Sequence, residues 1–183
     1  MQAIQQVFDA AAAAGDEAEL EARFSAGPEV YQRVIAVLDG GVSWDSHTVR
    51  EVHDRLYARD VRVRHTGALV ETHQKQVLAQ LDLSAAEVVA VAGLTIHPAP
   101  PTGVRFQASR EKRLDAAPQG QQPHTIRQKR THSYVYKGAW RFDVSLVNDE
   151  RVELELEAVG QPGPDGVRSM CMKVCDLLQM AFP

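Results

Sequence analysis

The stretch of this 183-residue sequence best equipped for chemistry is Val152-Glu153-Leu154-Glu155-Leu156-Glu157, three carboxylates alternating with three aliphatics. Alternate side chains of a strand share one face, about 6.6 Å apart, so these glutamates form a row of like charge. A second row, Glu19 and Glu21 followed by Arg23, lies in Ala18–Phe24. Other segments carry the opposite charge at the same spacing: Arg62 and Arg64 in Val61–His65, and Arg127 and Lys129 in Ile126–Thr131. Two rows are mixed, Arg105, Gln107, Ser109 and Glu111 in one, Arg141, Asp143 and Ser145 in the other. Grouped carboxylates suit a hard divalent cation such as Mg²⁺ or Mn²⁺. Facing guanidinium and ammonium groups suit phosphate oxygens, Arg as a planar fork and Lys as a point charge. Together they would hold a metal ion between a glutamate row and a polyphosphate.

Such rows need strands to align them. Strand-length, period-two stretches cover 61–65, 104–113, 125–136, 140–147 and 151–159, separated by Gly, Pro, Asn or Asp. Hairpin turns are expected at 65–68, 136–140 and 148–150, and loops at 99–103, 116–123 and 160–166. Helical patterns occupy an alanine-rich N-terminal segment (1–16), Pro28–Leu38 with an Asp-Gly-Gly stop after it, and the apolar tail (167–181). Each strand has one apolar and one ionic side. An ordinary solvated face would mix its polar residues, whereas here carboxylates concentrate on the first and last strands and cations on those between. If the sheet closes into a barrel with the ionic face inward, the two carboxylate strands become neighbours. Charges withdrawn from water need partners, so such an interior calls for a guest.

The length suits a single domain spanning 1–183, and 44% hydrophobic with 24% charged residues is a globular composition. No apolar run is long enough to span a bilayer, and the N-terminus lacks the pattern of a signal peptide, so a nuclear, cytoplasmic or viral-factory protein is expected, not a secreted or membrane one. The net charge of −4 gives no global attraction to nucleic acid, so a polyanion site must be a local concentration of cations. Cys171 and Cys175, at helical spacing in the tail, read as buried thiols. The seven histidines form no ligand box, which argues against zinc. Trp44 and Trp140 read as core or rim aromatics rather than base-stacking platforms.

In the order of its motifs the chain resembles the triphosphate tunnel metalloenzyme superfamily, and within it the metal-dependent RNA 5′-triphosphatases of mRNA capping in fungi, protozoa and large DNA viruses. The likeness rests on the Glu-x-Glu strand at 19–21, the Arg-x-Lys strand at 127–129 running into Ser133-Tyr134, the Trp140-x-x-Asp143-Val-Ser145 strand and the final Glu153/Glu155/Glu157 strand. It covers roughly 17–182. The resemblance implies an α+β, mainly antiparallel fold, a closed eight-stranded β-barrel with a few flanking helices. It implies Mg²⁺ or Mn²⁺ held by Glu19, Glu21, Glu153 and Glu155, and phosphates gripped by Arg62, Arg64, Lys75, Arg105 and Arg130. Arg127 and Lys129 would stabilise the transition state, Glu157 or Glu111 would orient the attacking water, and Asp143 and Ser145 would support those groups. The implied substrate is a 5′-triphosphate RNA end, and the implied partner is a guanylyltransferase; separately, the apolar C-terminal helix has the pattern either to cap the barrel or to form a contact with a second copy of the chain. A hydrolase of tripolyphosphate, nucleoside triphosphate or thiamine triphosphate, and a non-catalytic binder of polyphosphate or RNA ends, are the alternatives. Two positions depart from the pattern. Thr131 is in phase where the family often has an arginine, so Arg130 reaches the tunnel only through a bulge. Periodicity does not fix the phase of Lys75.

Overall fold

The computed structural model describes residues 1–15, 18–41, 43–96, 100–160 and 165–183, so His97 and parts of the expected loops at 99–103 and 160–166 lie outside the described residues. Eight antiparallel strands close into a barrel: β1 (Ala18–Ala26), β2 (Ser46–Tyr57), β3 (Val61–Thr66), β4 (Leu69–Ser84), β5 (Gly103–Leu114), β6 (Thr125–Tyr136), β7 (Trp140–Val147) and β8 (Arg151–Ala158). Their order around the wall is β1-β5-β4-β3-β2-β6-β7-β8, with β8 pairing back onto β1. Four helices flank it, α1 (Gln2–Ala14), α2 (Tyr31–Gly41), α3 (Ala85–Ala92) and α4 (Gly166–Ala181).

The barrel is turned inside out relative to a soluble barrel with an apolar interior. Leu20, Ala22 and Phe24 of β1, Val104, Phe106 and Ala108 of β5, and Val152, Leu154 and Leu156 of β8 point outward into the main hydrophobic core. There they meet Ile4, Val7 and Phe8 of α1, Val34 and Leu38 of α2, Val88 of α3, and Met170, Val174, Leu177 and Leu178 of α4. The helical jacket buries the apolar faces, which leaves the alternate, ionic faces for the lumen. Cys171 and Cys175 are free and buried in that jacket, where burial raises their thiols to about 12 and about 11.

The jacket covers only part of the wall. On β2 the outward Val49, Glu51, His53 and Arg55 are all exposed. With solvent outside and a polar lumen inside, this strand has no apolar face, and its Val49, Val52 and Leu56 fall at spacings of three and four, which mimics a helix. That is why the alternation does not reveal it. α3 begins at Ser84, whose hydroxyl accepts from the Glu87 amide at 3.3 Å while Glu87 caps the Ser84 amide at 2.8 Å. The expected hairpin turns form, with positive φ at Gly67, at Lys137 and Gly138, and at Asn148 and Asp149.

Candidate functional site

Because β8 closes onto β1, the two glutamate rows lie side by side, with Glu21 opposite Glu157, Arg23 opposite Glu155 and Ser25 opposite Glu153. The lumen they help to line is a cavity of about 270 Å³ running through the barrel. Its described lining carries eight cationic and seven anionic side chains: Arg23, Arg50, Arg62, Arg64, Lys75, Arg127, Lys129 and Arg141 against Glu19, Glu21, Asp54, Glu111, Asp143, Glu155 and Glu157.

The carboxylates crowd at the β1–β8 seam. Burial, reinforced by Glu19, Glu155 and Asp143, raises Glu157 to about 8 despite Arg141. Burial and then Glu111 raise Glu19, and burial and then Glu21 raise Glu155. Asp143, raised by burial and by Glu155, also has a buried Oδ1 without a hydrogen-bond partner. This corner is short of positive charge. A hard divalent cation fits its chemistry, since the donors are carboxylate oxygens without sulfur or imidazole. Among the described residues no three such groups already surround a metal-sized point. Instead Lys75 Nζ binds both Glu21 oxygens at 3.1 and 3.2 Å, and Arg141 is hydrogen-bonded to Glu157. Metal binding would therefore require those two cations to yield the carboxylates.

On the opposite wall two of the cations are paired with carboxylates. Arg64 forks onto Asp54 at 2.9 and 3.0 Å. Burial alone would raise Asp54, but the hydrogen bonds and charge of Arg64 outweigh it and lower the carboxyl. Arg62 Nη2 contacts both Glu111 oxygens at 2.8 and 2.9 Å. Arg50 donates to Ser133 Oγ at 3.0 Å, and Thr131 and Ser145 share a hydroxyl hydrogen bond of 2.8 Å. Among the described residues neither Arg50 nor Arg127 has a carboxylate partner, so both keep their charge for an anion.

Most of the residues selected from the sequence meet in this lumen: Glu19, Glu21, Arg62, Arg64, Lys75, Glu111, Arg127, Lys129, Asp143, Ser145, Glu155 and Glu157. Three do not. β6 runs without a bulge, so Thr131 faces inward, and Arg130 stands outside, exposed and paired with Glu51 at 3.1 Å. Arg105 is bound to Asp82 at 2.7 Å and is absent from the described tunnel lining. Glu153 is withdrawn from the carboxylate cluster by Lys129 at 2.6 Å and Arg151 at 2.9 Å. Burial would raise it, but the charge and hydrogen bond of Lys129 prevail, with help from Arg151, and hold it down to about 2. By position Glu157, rather than Glu153, completes the acidic set with Glu19, Glu21 and Glu155. Arg50 and Asp54 also line the lumen, from β2, whose residues carry no alternation that singles them out. Arg23 and Arg141 shared the inward alternation of strands already in view, and that was the signal available for them.

No protein-family model and no curated protein matches the sequence. The fold does have solved counterparts. The S. pombe Pct1 RNA triphosphatase, solved in complex with the Spt5 CTD, superposes with a TM-score of 0.68 over 98% of this chain and 91% of that one, at 16% identity. The RNA triphosphatase domain of a trifunctional mimivirus mRNA capping enzyme gives 0.65 over 98% and 97%, at 11% identity. This chain shares the fold of those two proteins.

Proposed function

We propose that this protein is a metal-dependent polynucleotide 5′-triphosphatase, which removes the γ-phosphate from triphosphate-ended RNA and leaves a diphosphate end for a guanylyltransferase to cap. The observation that carries this reading is the polarised tunnel, with a cation-deficient carboxylate cluster on one wall and anion-ready Arg50 and Arg127 on another. The fold shared with two RNA triphosphatases supports it. Such an enzyme acts where transcripts are made, in a nucleus or a viral factory.

In this scheme Arg62, Arg64, Lys75, Arg127 and Lys129 grip the triphosphate and balance charge on the transferring phosphoryl group. Their pre-set ion pairs hold Arg62 and Arg64 in place before substrate arrives, which lowers the cost of organising the site. A divalent cation held by Glu19, Glu21, Glu155 and Glu157 would neutralise γ-phosphate oxygens. Water attacks phosphorus in line as the bond to the β-phosphate oxygen breaks, and a carboxylate of the seam accepts the water's proton. Glu111, engaged by Arg62, acts here as a positioning residue. Asp143 and Ser145 orient Arg141 and Thr131.

A lumen of about 270 Å³ encloses a triphosphate without reading what is attached to it, so free tripolyphosphate is the natural competitor. The test is phosphate release from γ-labelled triphosphate RNA with Mg²⁺, with Mn²⁺ and with chelator, using wild type and Glu155→Ala. Metal-dependent release that disappears in the variant is expected. Tight RNA-end binding without release under any metal would leave a binding module instead.

A further inference from the structure

A second and larger space adjoins the tunnel. It is a groove of about 910 Å³ lined by Arg59, Asp60, Gln74, Lys75, Gln76, Val77, Arg110, Glu111 and Lys112. On β4 and β5, Gln74 and Gln76 pair with Lys112 and Arg110 and alternate with the lumen-facing Lys75 and Glu111, so they stand on the outer wall. Lys75 and Glu111 line both spaces. The groove is thus the tunnel's immediate neighbour, and its size lies within the roughly 300–1,000 Å³ of ligand clefts.

Its charge is lopsided. Four cations face two carboxylates; Lys75 is already committed to Glu21 and Glu111 to Arg62, which leaves Arg59 and Lys112 facing Asp60. Arg110 ties the floor to α1 through the Ala14 carbonyl at 3.1 Å. Among the described residues neither the Arg59 guanidinium nor the Lys112 ammonium makes an ion pair or side-chain hydrogen bond. Arg59 sits in a tight hairpin turn. It and Asp60 form the β2–β3 turn at φ +60° and +56°, the left-handed region that favours glycine. Gln74 pins the turn by donating to the Arg59 carbonyl at 3.2 Å.

We infer that this groove binds the ribose-phosphate chain of the nucleotides that follow the triphosphate, with Arg59 and Lys112 as phosphate contacts that favour RNA ends over free triphosphates. No aromatic side chain is among the described lining, so the contact is to the backbone and independent of sequence. The inference rests on the triphosphatase reading of the tunnel. It deepens that reading by supplying the preference for polynucleotide that the lumen cannot.

The test compares wild type, K112E, R59G and the R59G/K112E double variant. R59G removes the cation while suiting the turn, so it should fold at least as well as wild type. Phosphate release is measured on triphosphate-ended RNA of roughly 16 nucleotides, on the corresponding dinucleotide and on tripolyphosphate. The double variant should lose about tenfold in kcat/KM on the long RNA, through KM, and its logarithmic salt slope should fall by about 1.4 for two lost contacts. Tripolyphosphate hydrolysis should stay unchanged. Equal losses on RNA and tripolyphosphate, or no loss on either, would overturn the groove assignment. Binding of 5′-hydroxyl RNA of the same length separates this inference from the reading beneath it. Retention by wild type and release by the double variant support the groove even if no triphosphate is hydrolysed, and equal binding by both refutes it.

Discussion

Glu155 and Glu153 lie two positions apart on one strand face yet have different environments. Glu155 sits among like charges at the β1–β8 seam, and Glu155→Ala should reduce metal-dependent phosphate release by a factor of a hundred or more, a loss of about 2.7 kcal/mol in transition-state stabilisation. Glu153 is the anchor of Lys129. Glu153→Gln should leave metal affinity near wild type, as read by titration calorimetry, while raising KM by freeing Lys129. Equal loss of metal binding in both variants would restore Glu153 to the ligand set. Arg130 is outside the tunnel, so Arg130→Ala should keep kcat within twofold in the same phosphate-release assay.

The elements that position these residues have their own weak points. The capping box at Ser84 ends β4 and starts α3 in a single residue, and Ser84→Ala should cost about 1 kcal/mol. For a chain of this size that is a fall of roughly 2–4 °C in melting temperature, measurable by calorimetry. On β8 the fully buried Leu156 separates Glu155 from Glu157 and anchors the strand to the helical jacket. Leu156→Ala should cost about 2–5 kcal/mol in denaturant melts, and it should lower activity as well, because the same backbone sets both glutamates.

For the molecule as a whole, the charge crowding at the seam becomes a pH dependence. Glu157 rises from an ordinary 4.5 to about 8 in the folded, metal-free protein, so the native state holds a proton that the unfolded chain has lost. Its contribution to stability is present below the unfolded value and is lost as pH climbs toward about 8. In chelator, melting temperature should therefore fall between about pH 5 and 8, and Glu157→Gln should flatten that fall. A variant whose curve stays parallel to wild type would show that Glu157 is not the group responsible. Added Mg²⁺ should raise stability most at the alkaline end, since it competes with the proton for the same carboxylates.

Alternation alone determined that Glu19 and Glu21, Glu155 and Glu157, Arg62 and Arg64, and Arg127 and Lys129 each share one side of their own strand, because a strand's period is fixed at two. The residues between them, Leu20, Leu154 and Leu156, equally determined which side meets the helices. Tertiary structure decided the rest. β2 was hidden because both of its faces mix polar and apolar residues, water lying outside it and the lumen inside, so Arg50 and Asp54 gave no periodic signal. The phase of Lys75 depended on its pairing with Glu111, and the position of Arg130 on an unbroken β6 register. The separation of Glu153 from its neighbours depended on where the Lys129 side chain ends. Pairing across the sheet, which joins residues remote in sequence, carries information that no local pattern holds.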